Sequence, residues 1–185
     1  TFRLSDSGVN ATFTLNGSPI QFGGDFLFSN GTTGLAISGT SQIAISAGIP
    51  GSPAVSNISD TTYNNVTIYN SVYIGKNTVF LGGFRIYNTI TFSGYPDYVD
   101  FYTYRATLWM GNNSAISAST LGSSLSAQEI MDKYPLWQMA FLQTCTVTLN
   151  VNVYARNLYF YHTGTNTTTI NGGILYVGEK NGSIG

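Results

Sequence analysis

Ionised side chains are scarce in this chain of 185 residues: Lys, Arg, Asp and Glu make up 8% of it, about a third of the roughly 25% usual in soluble domains. The 7 basic and 8 acidic residues lie singly. No basic stripe exists to neutralise phosphates, so nucleic acid is not an expected partner. The single Cys145 excludes an internal disulfide, and with one histidine, His162, it cannot build a Cys/His zinc site. No apolar run reaches the roughly 18 residues that span a bilayer, so a mature form clear of the membrane is expected. The sequence also has no G-x-S-x-G elbow, G-x-x-x-x-G-K-S/T loop, H-E-x-x-H helix or G-x-G-x-x-G turn, and no catalysis or cofactor is expected.

What the chain has instead is small polar side chains. Ser, Thr and Asn number 19, 23 and 17, beside 21 glycines and an apolar fraction of 43%. Eight Asn-x-Ser/Thr acceptors occur, at Asn10, Asn16, Asn30, Asn57, Asn65, Asn112, Asn166 and Asn181, about twice what this composition supplies by chance. N-linked glycans and an extracellular location are therefore expected. Thr1, with no signal-like segment after it, fits a processed product.

Period-two alternation dominates the pattern. Residues 144–154 place Cys145, Val147, Leu149, Val151 and Val153 on one face and Thr and Asn on the other, as a half-buried strand requires. Similar segments cover 21–28, 35–47, 66–74, 78–92, 98–110, 157–162 and 170–177, broken by polar turns such as Gly111-Asn112-Asn113 and Gly164-Thr165-Asn166. The Gly48–Pro53 stretch reads as a rigid loop inside one domain. One short crossover helix is expected, with Ser126 as its cap, Glu129 in capping-box spacing, and Pro135 closing it. No motif stands out at a fixed period, which argues against a solenoid or propeller. The fold class expected is all-β, a single Ig-like β-sandwich with one short helix.

Isolated candidates for chemistry read as structural. His162 ends a strand with no recognisable partner, Asp97 and Asp100 read as solvated turn residues, and Cys145 reads as an inert buried thiol. Aromatics near Tyr98, Tyr102, Tyr104 and Trp109 suit either sugar stacking or a sandwich core, and they fall on several strands without a local platform.

The N-terminal strand carries the sharpest pattern. Val9, Ala11, Phe13 and Leu15 share one face, and Asn10, Thr12, Thr14 and Asn16 the other. Gly17-Ser18-Pro19 follows as a hinge. Alternating apolar teeth suit strand addition to another sheet. Burying Val9, Phe13 and Leu15 contributes about 1.5 to 3 kcal/mol each. With the sequon density, this strand makes the chain resemble the subunit of the archaeal thread filament, a family similar to type I pilins. The resemblance implies a pilin-like body at 19–185, an N-terminal tail at 1–18 bearing a donor strand, and identical subunits joined head to tail by donor-strand complementation. It also implies an extracellular glycoprotein filament that serves adhesion or biofilm. Pairing of Val9–Leu15 within its own chain, together with an exposed aromatic platform, would instead favour a secreted carbohydrate-binding protein. A jelly-roll viral coat is a third architecture compatible with the pattern.

Overall fold

The computed structural model describes residues 2–5, 11–17, 20–22, 26–29, 35–45, 56–60, 66–75, 78–80, 84–94, 99–102, 105–161 and 164–179. Val9, Asn10, Asn30, Asn65, Asp97, Tyr98, Tyr104, His162, Asn181 and the 48–53 loop lie outside the described residues.

The chain winds as a stack of coils. The first coil is β1 (Phe2–Ser5), β2 (Ala11–Leu15) and β3 (Ile20–Phe22). The second is β4 (Phe26–Ser29), β5 (Leu35–Gly39) and β6 (Ile43–Ile45); the third is β7 (Ser56–Asp60), β8 (Val66–Ile68) and β9 (Val72–Ile74). The fourth holds β10 (Thr78–Phe80), β11 (Phe84–Ile86) and β12 (Thr89–Ser93), and the fifth β13 (Val99–Asp100), β14 (Thr107–Met110) and β15 (Ser114–Ser119). In the sixth, a helix, α1 (Ala127–Asp132), precedes β16 (Leu136–Leu142) and β17 (Cys145–Leu149). β18 (Val153–Tyr161), β19 (Thr168–Gly172) and β20 (Leu175–Val177) complete the winding. Equivalent strands stack into three sheets, which we call A, B and C, ordered β1-β4-β7-β10-β13, β2-β5-β8-β11-β14-β16-β18-β20 and β19-β17-β15-β12-β9-β6-β3.

All-β architecture is what the structure has, but the pairing corrects the sandwich. Every strand pair among the described residues is parallel, whereas a sandwich of hairpins is antiparallel. A parallel neighbour needs a long return path. Here the other two sides of the coil supply it, so the polar breaks read as hairpin turns are corners. The 144–154 segment is accordingly two strands with a corner at Asn150–Asn152.

A repeat does exist, and it is a ladder in space. On sheet B, Phe13, Ile37, Ile68, Ile86, Met110, Phe141 and Phe160 stand in register from coil to coil. They are separated in sequence by 24, 31, 18, 24, 31 and 19 residues. Such uneven steps hide the solenoid that the sequence reading set aside. The interior is apolar and closely filled: Ile86, Met110 and Phe141 of sheet B face Ile90, Ile116 and Val147 of sheet C, all fully buried. Phe80 stacks on Phe101 at 4.0 Å between ring centres, and Phe92 meets the edge of Phe101 at 6.0 Å. Ring pairs of this kind add about 0.5 to 1.5 kcal/mol beyond their buried area.

The helix matches the sequence reading. Ser126 accepts from the Glu129 N–H, and the Glu129 carboxylate accepts from the Ser126 N–H at 2.8 Å. Ile130 and Met131 point from it into the core, beside Tyr134. In its coil, α1 precedes β16 where the earlier coils have a sheet A strand.

The corner between sheets B and C is tied by amide side chains. The Asn70 amide donates to the Ser41 carbonyl at 2.9 Å, and Asn88 donates to the Tyr69 carbonyl at 3.1 Å. Asn16 and Asn112 accept from the backbone N–H groups of Thr40 and Thr146, at 3.3 and 2.9 Å, while Thr144 donates to Asn166 at 3.0 Å. Each bond joins one coil to the next; the first four engage backbone groups at or beside the corner, and the last joins two side chains.

Candidate functional site, the outer face of sheet B

With Ile86, Met110, Phe141 and Phe160 on the inner ladder, strand alternation turns their neighbours outward. The outward neighbours are Arg85 and Tyr87, Trp109, Ala140 and Leu142, and Tyr159 and Tyr161. Register sets Arg85, Trp109, Ala140 and Tyr159 side by side across four coils, at roughly 4.7 to 4.9 Å per step. Ala140, small and fully buried, packs with Trp109 and Leu142 beneath the rings. Trp109 meets Tyr159 edge to face at 5.8 Å and Tyr161 at 6.3 Å. Trp109, Ala140 and Leu142, with Tyr87 against them, form an apolar cluster separate from the solenoid core.

The cluster is capped by rings that remain open to solvent. Tyr69, Tyr159 and Tyr161 are 46%, 45% and 46% exposed, and Tyr69 packs on Tyr87 at 5.1 Å. Beside them a depression of about 170 Å³ is lined by Arg85, Tyr87, Asn112, Leu142, Gln143, Thr144 and Tyr161. Its lining is mainly polar, with hydroxyl, amide and guanidinium groups beside Leu142. The Arg85 Nε is buried and has no hydrogen-bond acceptor. Burial pushes the Tyr87 phenol above its ordinary value, the nearby Tyr69 adds to that, and Arg85 opposes it. Tyr87 thus stays protonated and able to donate.

At the other margin of the face, Trp137 lies between two guanidinium groups, Arg156 at 4.6 Å and Arg105 at 5.4 Å from its ring centre. Tyr102 meets it edge on at 5.5 Å, and Arg156 pairs with Glu179 at 2.8 Å. Arg156–Glu179 is the salt bridge found among the described residues.

The residues expected at a subunit interface sit elsewhere. β2 pairs within its own chain, Ala11 to Leu35, Phe13 to Ile37 and Leu15 to Gly39. Leu15 is buried, Phe13 is 38% exposed, and Thr12, Thr14 and Asn16 are exposed as the alternation expects. Of the acceptor asparagines, Asn16, Asn112 and Asn166 stand on the B–C corner, and Asn112 also borders the depression; Asn57 lies in β7. Two readings of single residues need correction. Asp100 is not a solvated turn residue: it is 8% exposed and accepts from the Tyr102 N–H at 2.7 Å. The aromatics do form a local platform, through Tyr69, Tyr87, Trp109, Tyr159 and Tyr161, with Tyr102 apart at the Trp137 margin. Cys145 is buried, and burial pushes its thiol up. No group of three potential metal ligands occurs among the described residues.

Comparison with family models, with curated proteins and with solved structures finds no match.

Proposed function

We propose that this chain is an extracellular, N-glycosylated carbohydrate-binding protein, adhesive rather than catalytic, that holds saccharides on the outer face of sheet B. The observation that carries this reading is the platform of Tyr69, Tyr87, Trp109, Tyr159 and Tyr161 around the buried Ala140. Exposed rings such as Tyr69, Tyr159 and Tyr161, held by their packing on Tyr87 and Trp109, stack on the apolar C–H faces of sugars, and phenol, amide and hydroxyl groups at their margin meet sugar hydroxyls. The lack of charge elsewhere fits a surface that presents neutral hydrogen-bonding groups. Two further observations support it: Ala11–Leu15 pairs within its own chain, and Tyr69, Tyr159 and Tyr161 are open to solvent.

A glycan array probed with the intact chain and with the Tyr159→Ala/Tyr161→Ala double variant tests it. The expected result is saccharide binding by the first and at least about tenfold weaker binding by the second. A folded wild-type protein that binds no saccharide contradicts the reading.

A second reading, head-to-tail assembly of identical chains, draws support from the two outer strands of sheet B. β2 and β20 end that sheet, and the inner ladder closes on Phe13 and Phe160, 38% and 47% exposed. Open parallel edges of one repeat invite strand pairing, and contact between different surfaces propagates as a fibre. The N-terminal strand would then cover a neighbour's last coil rather than complete a sandwich. Phe13→Asp is expected to abolish fibres seen by negative-stain microscopy; fibres unchanged by it contradict this reading.

A further inference from the structure

The platform alone accounts for stacking on any sugar, but the depression at its margin has a more selective composition. Seven described residues line it, and Arg85 is the one ionised group among them. The face carries Arg105 and Arg156 as well, yet those cations lie against Trp137, and Arg156 is neutralised by Glu179. Among the described residues no carboxylate pairs with Arg85 and no acidic side chain lines the depression. The Arg85 Nε is buried without an acceptor, a costly condition for a charged donor. The groups around it, Gln143, Asn112 and the Tyr87 phenol, add donors. A rigid fork of donors beside aromatic rings matches a planar anionic group carried on an apolar-faced ring.

Resting on the reading of the face as a saccharide platform, we propose that the Arg85 depression takes the acidic group of an anionic saccharide, a uronate carboxylate or a sulfate ester, while Tyr161 and Tyr159 stack on its sugar rings. The carboxylate or sulfate oxygens accept from the guanidinium, whose charge no described side chain lining the depression offsets. Neutral sugars occupy the same rings but leave that donor unmatched, so they bind more weakly.

The test is calorimetric titration of the intact chain, made in a host that adds no N-glycans so that Asn112 is bare. Four probes are used: an oligouronate, its carboxyl-reduced neutral counterpart, a sulfated oligosaccharide of equal length, and an oligoglutamate. The oligouronate or the sulfated chain is expected to bind about 10- to 100-fold more tightly than the neutral one, and the stronger of the two names the acidic group. Arg85→Gln is expected to erase the difference between the acidic and neutral probes. Arg85→Lys keeps the charge but not the fork, and is expected to restore part of the preference; its response decides the matter if the Gln variant does not fold. Equal binding of acidic and neutral probes, or a preference that survives Arg85→Gln, overturns this inference and leaves the platform standing. An oligoglutamate that binds as tightly as the oligouronate overturns the saccharide assignment. Absence of binding by any probe overturns both readings.

Discussion

Single side chains decide the character of the outer face. Ala140 is the clearest case, because a larger residue there lifts Trp109 and Tyr159 off the sheet. Ala140→Leu is expected to destabilise by about 1 to 3 kcal/mol through overpacking and to weaken saccharide binding, read by urea unfolding and titration on the same preparation. Asn70 plays the matching role at the corner: its side chain is buried and bonds the Ser41 carbonyl. Asn70→Ala leaves that carbonyl unmatched, at an expected cost of about 1 to 3 kcal/mol, with no effect on binding. Equal unfolding midpoints for Asn70→Ala and wild type would contradict the tie. At Cys145, burial raises the thiol and hides it, so native protein is expected to resist alkylation at neutral pH and react fully once unfolded.

Elements divide into those that were legible in the sequence and those that were not. The start of the helix was legible to the residue, since Ser126 and Glu129 are local signals, while its end at Asp132 comes before Pro135. Its acid response follows from the same contact. Hydrogen bonds from the Ser126 side chain and then its backbone hold the Glu129 carboxyl below its ordinary value. A depressed carboxylate contributes stability above its unfolded value, and that contribution is lost as pH falls through the lower folded one. Ser126→Ala is therefore expected to lower the thermal midpoint at neutral pH and to show a smaller further loss on acidification than wild type; parallel curves contradict it. Strand positions were legible too, because Cys145, Val147 and Leu149 alternate whichever way a strand pairs. Pairing direction was not. A corner at Gly111-Asn112-Asn113, where Asn113 adopts φ 63°, has the composition of a hairpin turn. One trace of the coil is nonetheless written in the chain: Ile68-Tyr69-Asn70-Ser71-Val72 and Ile86-Tyr87-Asn88-Thr89-Ile90 share an inward residue, an outward Tyr and a corner Asn. That match occurs at a step of 18 residues, and the neighbouring steps of 31 and 24 residues break the period.

The whole molecule explains why the site escaped sequence reading. Tyr69, Tyr87, Trp109 and Tyr161 are separated by 18, 22 and 52 residues, and only coil-on-coil stacking brings them to one face. The same stacking leaves few ionised groups with stability to lose in acid, since the chain has 8 carboxylates. A small fall in unfolding midpoint between pH 7 and pH 3 is expected, and a large one contradicts the account. The chain's two tryptophans offer the most direct measurement of its central claim. Trp109 lies within the platform and Trp137 between Arg105 and Arg156 at the other margin. Heteronuclear NMR resolves their two indole N–H signals, assigned with Trp109→Phe, during titration with the oligouronate. The account predicts a saturable shift of the Trp109 signal, abolished by Tyr159→Ala/Tyr161→Ala. A Trp109 signal that stays fixed through saturation of binding would place the saccharide elsewhere and contradict it.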